Sequence, residues 1–366
     1  MGKHIFYLDN LRTCMIFLSI LCLSLVSFLP LPAVPLFAVY DKQALGTGMY
    51  YYLFYECLAA LVIPVLFFLS GYFSASNLRI RTLSSYFHDR WQRLGWPWLF
   101  AAFLIVPELA WLGILSRGFH ISFMDYLSRL VHGSYITLGA YGMLAFLLLF
   151  TFLLMAVKKV NHQALQRKAA SAPAPLFLLA FVVLHGLLIF AFSRLWLAAF
   201  QLHAVAAAQL FMTVSGFRFS WVITAALYFV LGCYACRHRW FTPGGYVPGR
   251  FWLAAALVCL MLYILTPAVY ADYAGVLLSF TGTLGLIAAF AAKGNNQSGK
   301  TAVSFAHMAY PLWYLSIPSL QAATYFLLPL NLAIPLKILL SLLLTLVYGY
   351  LVCKYALSYL SCFKVR

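Results

Sequence analysis

Runs of about twenty apolar residues recur ten times along this chain, at approximately 13–36, 50–75, 96–116, 137–157, 174–196, 217–236, 251–270, 273–292, 305–328 and 333–357. That is the length a helix needs to cross roughly 30 Å of hydrocarbon at about 1.5 Å per residue. The predicted fold class is all-α: a polytopic membrane protein, a bundle of about ten transmembrane helices.

Composition excludes the alternatives. With 65% hydrophobic and 8% charged residues the chain is too apolar for a water-soluble globule, whose charged share is about a quarter. The 24 Lys and Arg against 7 Asp and Glu give +17, but these cations sit mainly in short connections between apolar runs. No basic domain stands apart from the runs, so no nucleic-acid partner is expected. With a cytoplasmic N-terminus, eighteen cations fall inside and six outside: Lys42, Arg117, Arg129, Arg194, Arg218 and Lys337. That asymmetry predicts both termini cytoplasmic. The first run, preceded by Lys3 and Arg12, is too long for a secretory signal and lacks a small-x-small cleavage site, so it is expected to stay as a helix. Residues 1–366 are expected to form one transmembrane domain with no appended soluble domain. No inverted repeat is evident, which weighs against a secondary transporter.

The segment from Phe67 to Pro97 reads as a membrane hairpin. A hydrophobic run ends at a Ser70-Gly71 turn, the arginines Arg79, Arg81, Arg90 and Arg93 follow, and a new run opens at Trp96-Pro97. Guanidinium groups beside the bilayer are suited to pairing with phosphate.

Inside the runs, ionisable residues stand out, because burying one in lipid costs roughly 2.5–3.5 kcal/mol on insertion scales. Glu56 and Glu108 both fall at similar outer depths, where they either share a cavity or pair with Arg117 or Arg129 at the surface. Of the histidines only His185 and His307 reach membrane depth; each suits proton transfer, and equally a hydrogen-bonded packing role. Cys233 and Cys236 have metal or redox spacing but stand alone at a helix end, and the remaining cysteines read as small hydrophobes. No metal site is expected, and a G-x-S-x-G serine elbow is absent.

Three segments carry a resemblance: Tyr7-Leu8-Asp9-Asn10-Leu11-Arg12, then Phe67-Phe68-Leu69-Ser70-Gly71-Tyr72-Phe73, then Arg90-x-x-Arg93-Leu94-x-x-Pro97. In order and spacing they resemble the signatures of the membrane acyltransferase family 3. The resemblance implies a multi-pass enzyme of a bacterial-type inner membrane that moves an acyl group, commonly acetyl, from cytoplasmic acyl-CoA to a hydroxyl of an envelope glycan or glycolipid. It further implies that Arg12, Arg90 and Arg93 contact the CoA phosphates, that acyl-CoA is a co-substrate, and that no cofactor is tightly bound. Its partners would be the lipid bilayer, acyl-CoA and the glycan acceptor.

The chain departs from that family where the chemistry is expected. The histidine eleven positions after Arg12 is replaced by Leu23, the fourth run reads Leu138-Gly139-Ala140-Tyr141 where a His-Leu-Trp-Phe pattern is usual, and Ser316 stands where a histidine usually precedes Pro318. Leucine cannot accept a proton, and an unassisted serine is a weak base. Three functions follow: an acyltransferase whose base has moved to Glu56, Glu108 or His185; a catalytically silent relative that binds a lipid, glycan or partner; or a transporter using Glu56 and Glu108. A base sharing a cytoplasmic cavity with Arg12 and Arg93 favours the first, a packed core around Leu23 the second, and an outward or midplane cavity without arginines the third.

Overall fold

The apolar runs fold as helices, since in lipid a helix satisfies its backbone polar groups without outside partners. The computed structural model describes residues 5–30, 34–35, 37–131, 139–201, 219–242, 244–267, 270–294 and 300–355, and among these no strand forms. In chain order the main helices are α1 Phe6–Leu25, α2 Gly48–Ile80, α3 Leu83–Ser116, α4 Phe123–Val131, α5 Gly142–Val160, α6 Pro175–Gln201, α7 Phe219–Arg237, α8 Phe251–Leu265, α9 Ala271–Ala292, α10 Lys300–Leu327 and α11 Ile334–Tyr355. Among the described residues eight are long and apolar enough to cross a membrane: α1 with its extension to Phe28, α2, α3, α5, α6, α7, α9 and α11. Helix α8 is apolar but has 15 residues, and α10 runs for 28. Large apolar side chains such as Leu179, Leu187, Met261 and Leu343 face outward and exposed, as lipid rather than water would require. The chain is a helical, multi-pass membrane protein.

Ser70-Gly71 is not a turn. Helix α2 continues through it for 33 residues, and the expected polar connection at 76–95 shrinks to Arg81 and Thr82, with Thr82 Oγ1 capping α3. A glycine inside a helix costs about 1 kcal/mol relative to alanine; here close packing offsets it. A Cβ on Gly71 would lie 2.0 Å from the carbonyl oxygen of Phe229, and one on Gly232 would lie 2.0 Å from that of Phe68. Each glycine receives the backbone of the other helix, and Cys233 Sγ donates to Gly71 O at 3.4 Å across the same seam. Helices α2 and α7 run side by side in the same direction and form the axis of the bundle.

The larger core lies along that axis, where α1, α5 and α9 pack against α2 and α7. At the end where α2 and α7 finish, called here the Arg79 end, the turn after α7 folds inward. Trp240 is fully buried, Tyr72 Oη donates to its carbonyl at 3.1 Å, and Phe241 packs against Tyr7, Phe68 and Tyr72. The turn needs Gly245, whose Cβ would strike Arg239 O at 2.0 Å. At the opposite end, the Asp41 end, polar anchors hold the connection between α1 and α2. Arg117 donates to the carbonyls of Val34, Pro35, Ala38 and Gly113, and these acceptors offset a burial that pulls its pKa below the usual guanidinium value. Lys337, expected at the outer surface, is instead wholly buried on α11 and paired with Asp41 at 2.8 Å.

Helix α3 is broken into short segments around Pro97, with π-helical turns at Trp91–Gly95 and Ala101–Ile105. Pro97 has no N–H to give to the carbonyl four residues back. That carbonyl, of Arg93, accepts from Tyr310 Oη at 2.8 Å, and Pro97 O accepts from Tyr314 Oη at 2.9 Å. Tyr310 of α10 thus stands in for the helix bond that proline removes, and Tyr314 adds a second bond to a carbonyl that also accepts from Ala101 N.

The glycine seam makes a measurable prediction. Gly71→Ala forces a methyl group into backbone and should cost about 1–3 kcal/mol as overpacking, read as a lowered midpoint of thermal unfolding in detergent. Gly186→Ala, on a helix of the same kind but with nothing within 4 Å of the added Cβ, should leave the midpoint unchanged.

Candidate functional site

Three helices bring polar side chains into the interior of the Asp41 half. Glu56 lies two turns into α2, Ser220 and Thr224 one turn apart at the start of α7, and Asp272 and Ser279 two turns apart on α9. Together with His185 of α6 and Trp221 they line a cavity of about 50 Å³ between α2, α6, α7, α8 and α9. Glu56 is 9% exposed and His185 1%, so both are enclosed by protein rather than facing lipid. The cavity holds two carboxyl groups and an imidazole, and among the described residues no Lys or Arg lines it.

Hydrogen bonding defines the state of the imidazole. With the hydroxyl proton of Thr224 on Ser220 O at 2.9 Å, its 2.9 Å contact with His185 Nε2 is one in which the ring donates. Nδ1 is then a bare acceptor, buried and without a hydrogen-bond partner among the described residues. Ring edges of Tyr228 and Phe181 hold the imidazole in place.

Two of the three expected bases, Glu56 and His185, therefore share a site. Glu108 does not: it is exposed on the outside of α3. The side chain of His307 lies outside the described residues. Arg12, Arg90 and Arg93 are not near the cavity either. Glu56 and Arg79 are twenty-three residues apart on one helix, about 35 Å, and Thr224 and Arg237 are separated by about 20 Å on α7. At the Arg79 end Arg12 pairs with Asp9 at 3.3 Å and lies over the Phe73 ring, Arg93 pairs with Asp89 at 3.2 Å, and Arg90 lies over the Tyr86 ring at 5.1 Å. Although Arg90 and Arg93 are three apart, the π-turn beginning at Trp91 gives them different neighbours.

The positions where histidine was expected are packed instead. Leu23 lies against the second core, built from α1, α3, α10 and the 34–40 connection, and Ser316 is fully buried with its hydroxyl spent on Trp313 O at 2.8 Å. Cys233 and Cys236 are partly and fully buried in the α2–α7 seam. The residues that sequence reasoning missed are Asp272, Ser220, Thr224 and Ser279. Their signal was present: polar residues four or seven apart in apolar runs, hence on one helical face.

No protein-family model, no curated protein and no solved structure matches this chain.

The tautomer can be tested directly. In the protein labelled with ¹⁵N-histidine, His185 should give the signals of a ring protonated at Nε2 alone. Thr224→Val, which removes the acceptor, should convert it to a mixture of tautomers; a wild-type ring protonated at Nδ1 would refute the assignment.

Proposed function

We propose that this chain is an integral membrane O-acyltransferase. It takes an acyl group, in the first instance acetyl, from a CoA thioester at the Arg79 end and passes it to a hydroxyl of an envelope glycan or glycolipid in the Glu56–His185 cavity. The observation that carries this reading is the bare Nδ1 of His185, buried beside Glu56 in a cavity lined by hydrogen-bond acceptors. A sugar hydroxyl becomes nucleophilic near neutral pH only as a base takes its proton, and a neutral imidazole has a lone pair to receive it. In the proposed step the hydroxyl oxygen forms its bond to the thioester carbon, His185 Nδ1 takes the proton, and the CoA sulfur leaves and recovers it. Glu56 and Asp272 orient the acceptor by receiving its other hydroxyl protons. On this reading the chain has ten spans, lies in a bacterial-type inner membrane and keeps both termini and the Arg79 end in the cytoplasm, in accord with the cation asymmetry. Donor and acceptor then enter from opposite faces. The roughly 20 Å between Thr224 and Arg237 is left for the donor's flexible arm or for helix movement.

A second reading, transport, is favoured by that same separation and by the acids and histidine that line the cavity, since intramembrane acids and histidines commonly mark ion and proton paths.

One experiment separates them. Purified protein in liposomes is given radiolabelled acetyl-CoA with envelope glycolipids. Acyl transfer should appear, fall about 10²–10⁴-fold in His185→Gln, and show a raised KM in Arg93→Gln. No transfer and no CoA hydrolysis, together with proton uptake abolished in Glu56→Gln, would overturn the transferase and establish transport.

A further inference from the structure

At the Arg79 end a second group of arginines is arranged differently from Arg12, Arg90 and Arg93. Arg79 ends α2, Arg167 lies in the connection after α5, and Arg237 ends α7. Three packed segments carry them to one end of the bundle. Lys168 N donates to Arg237 O at 2.9 Å, which ties the connection to α7, and Lys158 donates to the carbonyls of Leu78 and Arg81, which ties α5 to α2. The thiol of Cys236, which hydrogen-bonds Ser76, lies within electrostatic reach of both Arg79 and Arg167, and Arg167 also reaches Tyr72. The Gly71–Gly232 seam fixes the spacing of the α2 and α7 members.

Among the described residues no acid pairs with Arg79, Arg167 or Arg237. Nε of each of the three guanidinium groups is buried and finds no acceptor among the described residues. The chain has only seven side-chain acids. Asp9 pairs with Arg12, and Asp89 is shared by Arg81 and Arg93. The other five, Asp41, Glu56, Glu108, Asp125 and Asp272, all belong to the Asp41 half. Guanidinium groups cannot shed their protons, so three gathered and partly desolvated cations repel unless an anion sits among them.

We infer that Arg79, Arg167 and Arg237 form a binding site for a phosphate-bearing anion, separate from Arg12 and Arg93, which pair with acids, and from Arg90, which lies over the Tyr86 ring. Forked donors arriving from three segments match a tetrahedral group with several equivalent oxygens better than a planar carboxylate. All three side chains are half-buried, so the site opens at the surface of this end of the bundle. The inference stands whether or not the chain is an acyltransferase. The shared chemistry has two sources, a soluble phosphate compound and an anionic lipid headgroup.

The test uses full-length protein in nanodiscs of phosphatidylcholine alone, titrated with inorganic pyrophosphate and read by thermal shift and calorimetry. Native mass spectrometry of protein extracted from membranes containing phosphatidylglycerol forms the lipid arm. Arg167→Gln, in a surface connection, should weaken the bound anion at least about tenfold, the loss of a charge-assisted hydrogen-bonded pair. Arg167→Lys, which keeps the charge but not the fork, should fall between. Lys159→Gln, which removes one exposed cation from the same end, should leave binding unchanged, as should Arg93→Gln. Pyrophosphate binding in phosphatidylcholine assigns the site to soluble phosphates; phosphatidylglycerol retained only when Arg167 is present assigns it to lipid. Absence of both, equal loss in Lys159→Gln, or loss in Arg93→Gln but not Arg167→Gln, overturns the inference.

Discussion

The backbone contact between α2 and α7 at Gly71 and Gly232 is the constraint on which the other features rest. Lipid supplies no hydrophobic drive for one helix to leave it for another, so helices associate where small residues let backbones approach. Here two glycines face each other's carbonyls with no room for a single added carbon. The parallel pair so formed sets both ends of the molecule: Glu56 beside Thr224 at one, Arg79 beside Cys236 and Arg237 at the other. It also supports the inward turn at Trp240, whose carbonyl is bonded from Tyr72, one residue past Gly71.

The two ends solve the problem of buried charge in opposite ways. At the Asp41 end the deeply placed cations among the described residues have partners. Lys337 has Asp41, and Arg117 has four carbonyls, because an ion left alone away from water costs several kcal/mol. These bonds hold the α1–α2 connection against α3 and α11, with Gln321 of α10 accepting from Val39 N at 2.7 Å. At the Arg79 end cations gather beyond what the acids there can neutralise. In the Asp41 half Glu56, His185 and Asp272 line a polar cavity enclosed by helices.

The motifs that looked chemical turn out to be partly architectural. Ser70-Gly71 is a helix contact, Pro97 is tied to α10 by Tyr310 on the Arg93 carbonyl and Tyr314 on its own, and Leu23 and Ser316 fill cores. Conversely the cavity is built from residues with no motif around them. Asp272 and Thr224 draw no notice singly, since an acid at a helix start and a threonine bonding back to its own helix are common. Glu56 and His185 were legible as ionisable groups in apolar runs, but their meeting at one cavity was not, because they lie on helices separated by more than a hundred residues.

What the residues determine by themselves is what local physics controls. Apolar runs of membrane length become helices because the chain must satisfy its own backbone in lipid, and scattered acids among many cations leave one end of the bundle strongly basic. Which helices touch, and so which side chains meet, was decided only in the tertiary structure. Gly71 reads equally as a turn or a seam until another backbone lies within 2.0 Å of where its Cβ would be. Glu108 and Glu56 have similar depth and chemistry, yet one faces outward and the other inward. That difference depends on helix rotation, which is set by packing against neighbours and written in no single segment.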